Sequence, residues 1–251
     1  MDPLIAIIIL GAVVAGFVQG LSGFAFTMVA MSIWAWALDP QLAAATAVFG
    51  GMSGQIFGVL TVRRGFDLSV LIPLCVGALV GIPIGVVALP HLDADLFKTL
   101  LGAMLVICCP IMLVANGLPR ITAGGRLVDG LVGIIGGAMG GLGGFTGIFP
   151  TLWYTLRGFE KERLRSIVQN FNLAALTVTM GVYVGTGIAT VEMLPIFAIV
   201  LPAMLVPWWL GSRVYIGINE VTFRRVVLSL LTLSGIGMLA SSLPTALAYL
   251  Y

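Results

Sequence analysis

The sequence predicts an all-α polytopic membrane protein: about eight transmembrane helices, arranged as two pseudo-symmetric four-helix repeats. Three observations carry this. The 251 residues are 60% hydrophobic and 9% charged, with a mean hydropathy of +1.15. The apolar runs are continuous and helix-length, as from Leu68 to Leu89. A glycine-rich phrase occurs twice, 121 positions apart. Soluble domains are about 25% charged, so too few charged side chains exist here to cover a water-facing core. Disorder and a disulfide scaffold are excluded by the same composition. Barrel strands alternate apolar and polar residues, which these runs do not, and helices are the other structure that satisfies its own backbone in lipid.

A span needs roughly 20 apolar residues. Between the charged punctuation such segments run near 4–37, 41–62, 68–89, 96–115, 127–156, 166–188, 193–210 and 224–243. The first follows Met-Asp-Pro with no basic residue before it, unlike a secretory signal, and is expected to stay as a span. The first and fifth segments are too long for one perpendicular crossing. The three cysteines, Cys75, Cys108 and Cys109, lie in apolar runs without metal-ligand spacing and read as packing residues. No metal site is expected. A net charge of +2 gives no footing for nucleic acid.

With eight alternating crossings and an external N-terminus, Lys98, Arg157, Lys161, Arg163, Arg165, Arg213, Arg224 and Arg225 fall in cytoplasmic loops. Arg63, Arg64, Arg120 and Arg126 fall outside. The positive-inside rule then places both termini outside, decided by the Arg157–Arg165 cluster.

Residues 16–24, GFVQGLSGF, align with 137–145, GAMGGLGGF, through Gly16/Gly137, Gly20/Gly141, Leu21/Leu142, Gly23/Gly144 and Phe24/Phe145. An offset of 126 pairs Gly85 with Gly211, Asp93 with Asn219, Phe97 with Phe223 and Lys98 with Arg224. The division is a first repeat over 1–115, a linker over 116–126 and a second repeat over 127–251. Four spans in each half imply parallel repeats, related by an axis along the membrane normal. Two such halves around a central site suit transport better than catalysis.

The substrate is expected between the two glycine clusters. Each glycine weakens a helix by about 1 kcal/mol relative to Ala, and Pro150 removes another helix bond in the second copy. A broken helix in each half would aim free N–H groups inward, an arrangement that binds anions. Close packing through Gly16-x-x-x-Gly20 explains the same glycines. Candidate binding residues are Gln19, Gly20, Ser22, Gly23 and Phe24 in the first cluster, and Gly141, Gly144, Phe145, Thr146 and Gly147 in the second. Thr27 and Thr151 flank the clusters, and Phe24 and Phe145 are expected as apolar walls. The amides Gln55, Gln169, Asn170 and Asn172 lie within apolar runs and need partners, a neighbouring helix or a ligand. Arg165 stands at the entrance, as a lure for anions or as an ordinary anchor. No Asp, Glu, Lys or Arg lies in mid-span, so nothing points to a proton relay. Export of an anion needs none, because an inside-negative potential favours its exit by about 2.3 kcal/mol per charge per 100 mV.

AGFVQGLSGFAF at 15–26, GGLGGFTGIFPTLWY at 140–154 and FEKERLR at 159–165 together resemble the TauE/SafE (TSUP) family of sulfite and organosulfonate exporters, over nearly the whole chain. The resemblance implies a multi-pass inner-membrane transporter exporting a small sulfur-containing anion, with no cofactor. Sulfite, sulfoacetate and related anions all remain open. No proline follows the first glycine cluster, where Ile33 and Trp34 stand, so the two halves are expected to break differently. Two other classes compete. A passive anion channel, or a membrane subunit of a larger complex, has glycine-broken helices too. An intramembrane serine protease would use Ser22 and the single histidine, His91, yet Gly143 replaces Ser22 in the second copy. The glycine seams also suit a homodimer.

Overall fold

The computed structural model describes residues 3–61, 65–115, 121, 124–214 and 220–248, and these form ten α-helices with no strand. The helices are α1 (Pro3–Ser22), α2 (Phe26–Trp34), α3 (Pro40–Thr61), α4 (Leu68–Ala88), α5 (Ala94–Val114), α6 (Arg126–Gly143), α7 (Ile148–Leu156), α8 (Lys161–Thr186), α9 (Leu194–Val214) and α10 (Glu220–Ala248). All but the short α2 and α7 supply the eight stretches, among the described residues, that are long and apolar enough to cross a membrane. Helix starts follow local chemistry. Asp39 accepts hydrogen bonds from the backbone N–H groups of Gln41 and Leu42 ahead of α3, and Asp93 caps α5 through the Leu96 N–H at 2.7 Å, each satisfying first-turn donors.

The over-long first and fifth segments are not single broken spans. Each is a full helix followed by a nine-residue half-helix that doubles back along it. Trp34, at the end of α2, donates its Nε1–H to the carbonyls of Ile7 and Ile8 at 3.3 Å, near the start of α1. Trp153 of α7 likewise donates to Asp129 in the first turn of α6, at 2.9 Å. The chain therefore leaves each hairpin on the side where it entered.

That return changes the parity of every later span. Residue pairings give the directions. Gln19 bonds Gly51, and Gln55 bonds Gly23, so α1 and α3 run parallel. Gly16 meets Met204 and Gly20 meets Trp208, so α9 runs with them. Gly77, Gly81 and Gly85 of α4 meet Gly130, Ile134 and Ala138 of α6 in register, another parallel pair. Gly136 meets Phe171 and Gly141 carries the Tyr183 hydroxyl, aligning α8 with α6. Gly51 beside Leu176 and Gly58 beside Gln169 make α3 and α8 antiparallel. Thr99 bonds Ser242 while Gly102 meets Gly235, so α5 and α10 oppose each other. Each long helix of the first half thus runs opposite to its counterpart in the second: α1 to α6, α3 to α8, α4 to α9 and α5 to α10. The expectation of parallel halves fails, because each over-long apolar segment is a returning hairpin and not one crossing.

The largest interfaces join α4 to α6, α1 to α9 and α5 to α10. Glycine makes the first two possible: a Cβ on Gly81 or Gly133 would lie about 2 Å from a carbonyl of the facing helix. Gly16 and Gly20 play this packing part against α9.

The directions also re-sort the charges. Arg126, Arg157, Lys161, Arg163, Arg165, Arg213 and Arg225 all lie at helix ends on one face, and Lys98 lies toward the other. Eight alternating crossings put Lys98 with the Arg157 cluster and Arg126 opposite it; the helix directions overturn both, because each hairpin returns before the next span. Arg63, Arg64 and Arg120 lie outside the described residues, as does most of the 116–126 linker.

Candidate functional site

The two hairpin turns are built alike, contrary to the expectation drawn from the missing proline. Gly23 ends α1 at φ +86°, and Gly144 ends α6 at φ +82°. Each N–H closes on the preceding turn at 2.7 Å, Gly23 onto Gln19 and Gly144 onto Gly140. Only a residue without a Cβ takes this left-handed conformation freely. α2 and α7 start within a few residues of these turns, and their first-turn N–H groups have no intrahelical carbonyl.

What surrounds the two turns differs. At the first, the Ser22 Oγ accepts from the N–H groups of Phe24 and Ala25 at 3.4 and 3.2 Å, and Gln55 donates to the Gly23 carbonyl at 2.9 Å. Beyond them lies a cavity of about 100 Å³, lined by Gly23, Phe24, Met28, Thr151, Lys161, Arg165 and Gln169 among apolar neighbours from α5 and α10. Thr151 is 3% exposed, and its hydroxyl has no hydrogen-bond partner among the described residues. The Arg165 guanidinium donates to the Leu21 carbonyl at 3.4 Å and lies against Gly23. A second cavity, about 240 Å³, shares Gly23, Arg165 and Gln169 and adds Gln19, Gly20, Gly54, Gln55, Glu162, Trp208 and Ser212. Gln19 is 1% exposed; its Nε2–H donates to the Gly51 carbonyl, and its Oε1 accepts no hydrogen bond among the described residues.

At the second turn the space is filled by the protein itself. Thr27 donates to the Gly144 carbonyl at 2.9 Å, and Val48 and Leu176 close over the same glycine. Thr146 donates to Asn172 Oδ1 at 2.8 Å, and the Asn172 amide covers Gly147 at the start of α7. Phe145 is buried in the hydrophobic core at 2% exposure and lines neither cavity. Gly141 packs on α4 beside Ile82. Asn170 turns away from both clusters, its amide within 3.4 Å of the Gly65 carbonyl.

The structure therefore gathers Gln19, Gly20, Gly23, Gln55, Gln169 and Arg165 around one cavity, and Ser22, Gly23, Phe24, Arg165 and Gln169 around its neighbour. It groups Gly144, Thr146, Gly147 and Asn172 elsewhere. Thr151, Lys161, Trp208 and Ser212 line the cavities without having been singled out as binding residues. Thr151 had a signal, its place beside the second glycine cluster, but that it faces the first turn follows only from the return of α7.

Nearer the surface, Asp67 accepts from Ser69 at 2.6 Å and from the Arg163 Nε at 2.9 Å. The Ser69 hydrogen bond, then the Arg163 guanidinium, hold its carboxyl below the usual range. This pair ties the α3–α4 connection to the start of α8. Asp129, 4% exposed, is paired with Arg157 at 3.2 Å. Among the described residues no cluster of three metal-ligating side chains occurs.

Chemically, the first turn offers backbone N–H groups at the positive end of a helix dipole, an unpartnered hydroxyl and a guanidinium. These are donors without a nucleophile–base pair, suited to holding oxygens that carry negative charge. Comparison with known proteins points the same way. The family described as sulfite exporter TauE/SafE matches residues 8–238. No curated protein and no solved structure matches the chain.

Proposed function

The chain belongs to the sulfite exporter TauE/SafE family, a family of membrane transporters, and from that premise we propose that it exports a small sulfur-containing anion, sulfite or an organosulfonate, from the cytoplasm across the inner membrane. The observation that carries the site is the cavity at the start of α2, where the buried, unpartnered Thr151 hydroxyl and Arg165 face the same space as the half-helix N-terminus. The anion's oxygens accept from the α2 amides, Thr151 and Arg165; Phe24 and Met28 form the apolar wall. Lys161 and Gln169 complete the lining. The face rich in Arg and Lys is cytoplasmic by the positive-inside rule, which opens this cavity toward the compartment holding the substrate.

The opposed directions of the two halves supply the route out. Oppositely oriented halves exchange conformations by rocking about a site between them. Here the Gly23 turn is accessible, and the Gly144 turn is sealed by Thr27, Val48 and Leu176. Export exchanges these states, releasing the anion on the far side. The inside-negative potential drives it, at about 2.3 kcal/mol per charge per 100 mV.

Proteoliposomes loaded with sulfite, with acetate as comparison and a potassium-diffusion potential to set voltage, test this. We expect saturable sulfite efflux, faster when the loaded side is negative, with Arg165→Gln lowering it about tenfold, near the 1.4 kcal/mol of one charged hydrogen bond. Absence of flux for sulfite and organosulfonates alike overturns the export reading. Unsaturable flux makes the protein a channel, and flux that requires a proton gradient overturns the voltage drive.

A further inference from the structure

The larger cavity asks for a different chemistry from the smaller one. Gln19, which lines the larger cavity, holds its Oε1 buried against Gly54, an acceptor with no donor among the described residues. Gln55 has one Nε2–H engaged on the Gly23 carbonyl, and its carbonyl oxygen adds a second amide acceptor to the lining. Glu162 adds a carboxylate to the lining. A buried amide oxygen without a donor is a standing cost, and a bound solute that donates to it removes that cost. Gln19 stands one helical turn, about 5.4 Å, before Gly23, and the cavity meets the anion cavity at Gly23, Arg165 and Gln169.

We propose that this second cavity is a tail site, and that the favoured substrate is a short-chain sulfonate whose far end carries a neutral hydrogen-bond donor such as a hydroxyl. The inference rests on the export reading above. The sulfonate end takes the donors at the start of α2, and the tail donates to Gln19. A tail ending in hydrogen only leaves Gln19 unsatisfied. A carboxylate tail brings an acceptor to an acceptor and a negative charge toward Glu162. Sites built to bond a substrate hydroxyl reject analogues lacking it far more strongly than apolar pockets reject an added one.

The test is competition against sulfite efflux in proteoliposomes of the full chain, using 2-hydroxyethanesulfonate, 3-hydroxypropanesulfonate, ethanesulfonate and sulfoacetate. A hydroxyalkanesulfonate is expected to compete at least about tenfold better than ethanesulfonate, and sulfoacetate to compete worst. Gln19→Met should bring hydroxyethanesulfonate and ethanesulfonate within about twofold of each other. Glu162→Gln, at an exposed position that does not endanger folding, should improve sulfoacetate selectively. Sulfite efflux with ethanesulfonate competing as well as both hydroxylated solutes overturns the tail site and leaves the export reading standing. So does a sulfoacetate rank unmoved by Glu162→Gln. Absence of efflux for sulfite and every sulfonate overturns both.

Discussion

Gly23 and Gly144 share a backbone conformation and differ in what surrounds it, so the same substitution separates their roles. An alanine at either pays the left-handed strain of about 1–2 kcal/mol. At Gly144 its Cβ would also lie 2.7 Å from the Thr27 methyl and 3.2 Å from Val48, in packed core. At Gly23 the nearest atom is the Arg165 Nε at 3.1 Å, part of a long side chain beside open space. Gly144→Ala is therefore expected to lower the thermal unfolding temperature in detergent more than Gly23→Ala, while Gly23→Ala moves Arg165 and reduces transport more than its stability loss explains. Equal unfolding temperatures would mean that the second turn is not sealed. The sequence singled out both glycines from their repeat alone. It could not tell the lined turn from the filled one, because Thr27, Val48, Asn172 and Leu176 reach Gly144 and Gly147 from three other helices. The same limit applied to Phe24 and Phe145: aligned in the repeat, one lines a cavity and the other fills the core.

At the scale of the element, the decisive objects are α2 and α7. Their excess length was legible, and so was the glycine break. Their direction was not, since hydropathy has no sign along the chain and a returning half-helix is as apolar as a continuing one. What fixes the return is a tryptophan in the last turn of each half-helix, Trp34 in α2 and Trp153 in α7. Trp34 is completely buried, its indole over Gly11 and its Nε1–H on the Ile7 and Ile8 carbonyls. A Cβ on Gly11 would lie 2.1 Å from that nitrogen, so Gly11→Ala pushes the ring out of its seat. Overpacking of this kind costs about 1–3 kcal/mol. Because the displaced ring anchors the α2 hairpin, the variant is expected to lose transport along with stability. Trp34→Phe, which removes the N–H but relieves the crowding, should restore part of both in the Gly11→Ala background. Unfolding temperature and sulfite efflux of the two single variants and the double variant measure this coupling. Strict additivity would show that the Gly11–Trp34 contact does not hold the hairpin.

For the whole molecule, the returning half-helices decide which loops share a face. Eight alternating crossings place Phe66 on the side of Glu192 and opposite His91. The helix directions instead place Phe66 with Glu160 on the basic face, and His91 with Glu192 on the other. The eight spans themselves were plain in composition and length; the sidedness of the middle of the chain was lost to one miscounted crossing in each half. Phe66 and His91 are both exposed, and the native cysteines are buried or half-buried within helices, so single cysteines at the four positions give a clean reading. With a membrane-impermeant maleimide on intact cells, His91→Cys and Glu192→Cys are expected to label from outside, and Phe66→Cys and Glu160→Cys only after permeabilisation. If Phe66→Cys labels with Glu192→Cys while His91→Cys stays protected, the half-helices do not return and the halves are parallel. The rocking exchange then loses its structural basis, because an inward cavity at Gly23 would have no oppositely oriented counterpart at Gly144 to become the outward one.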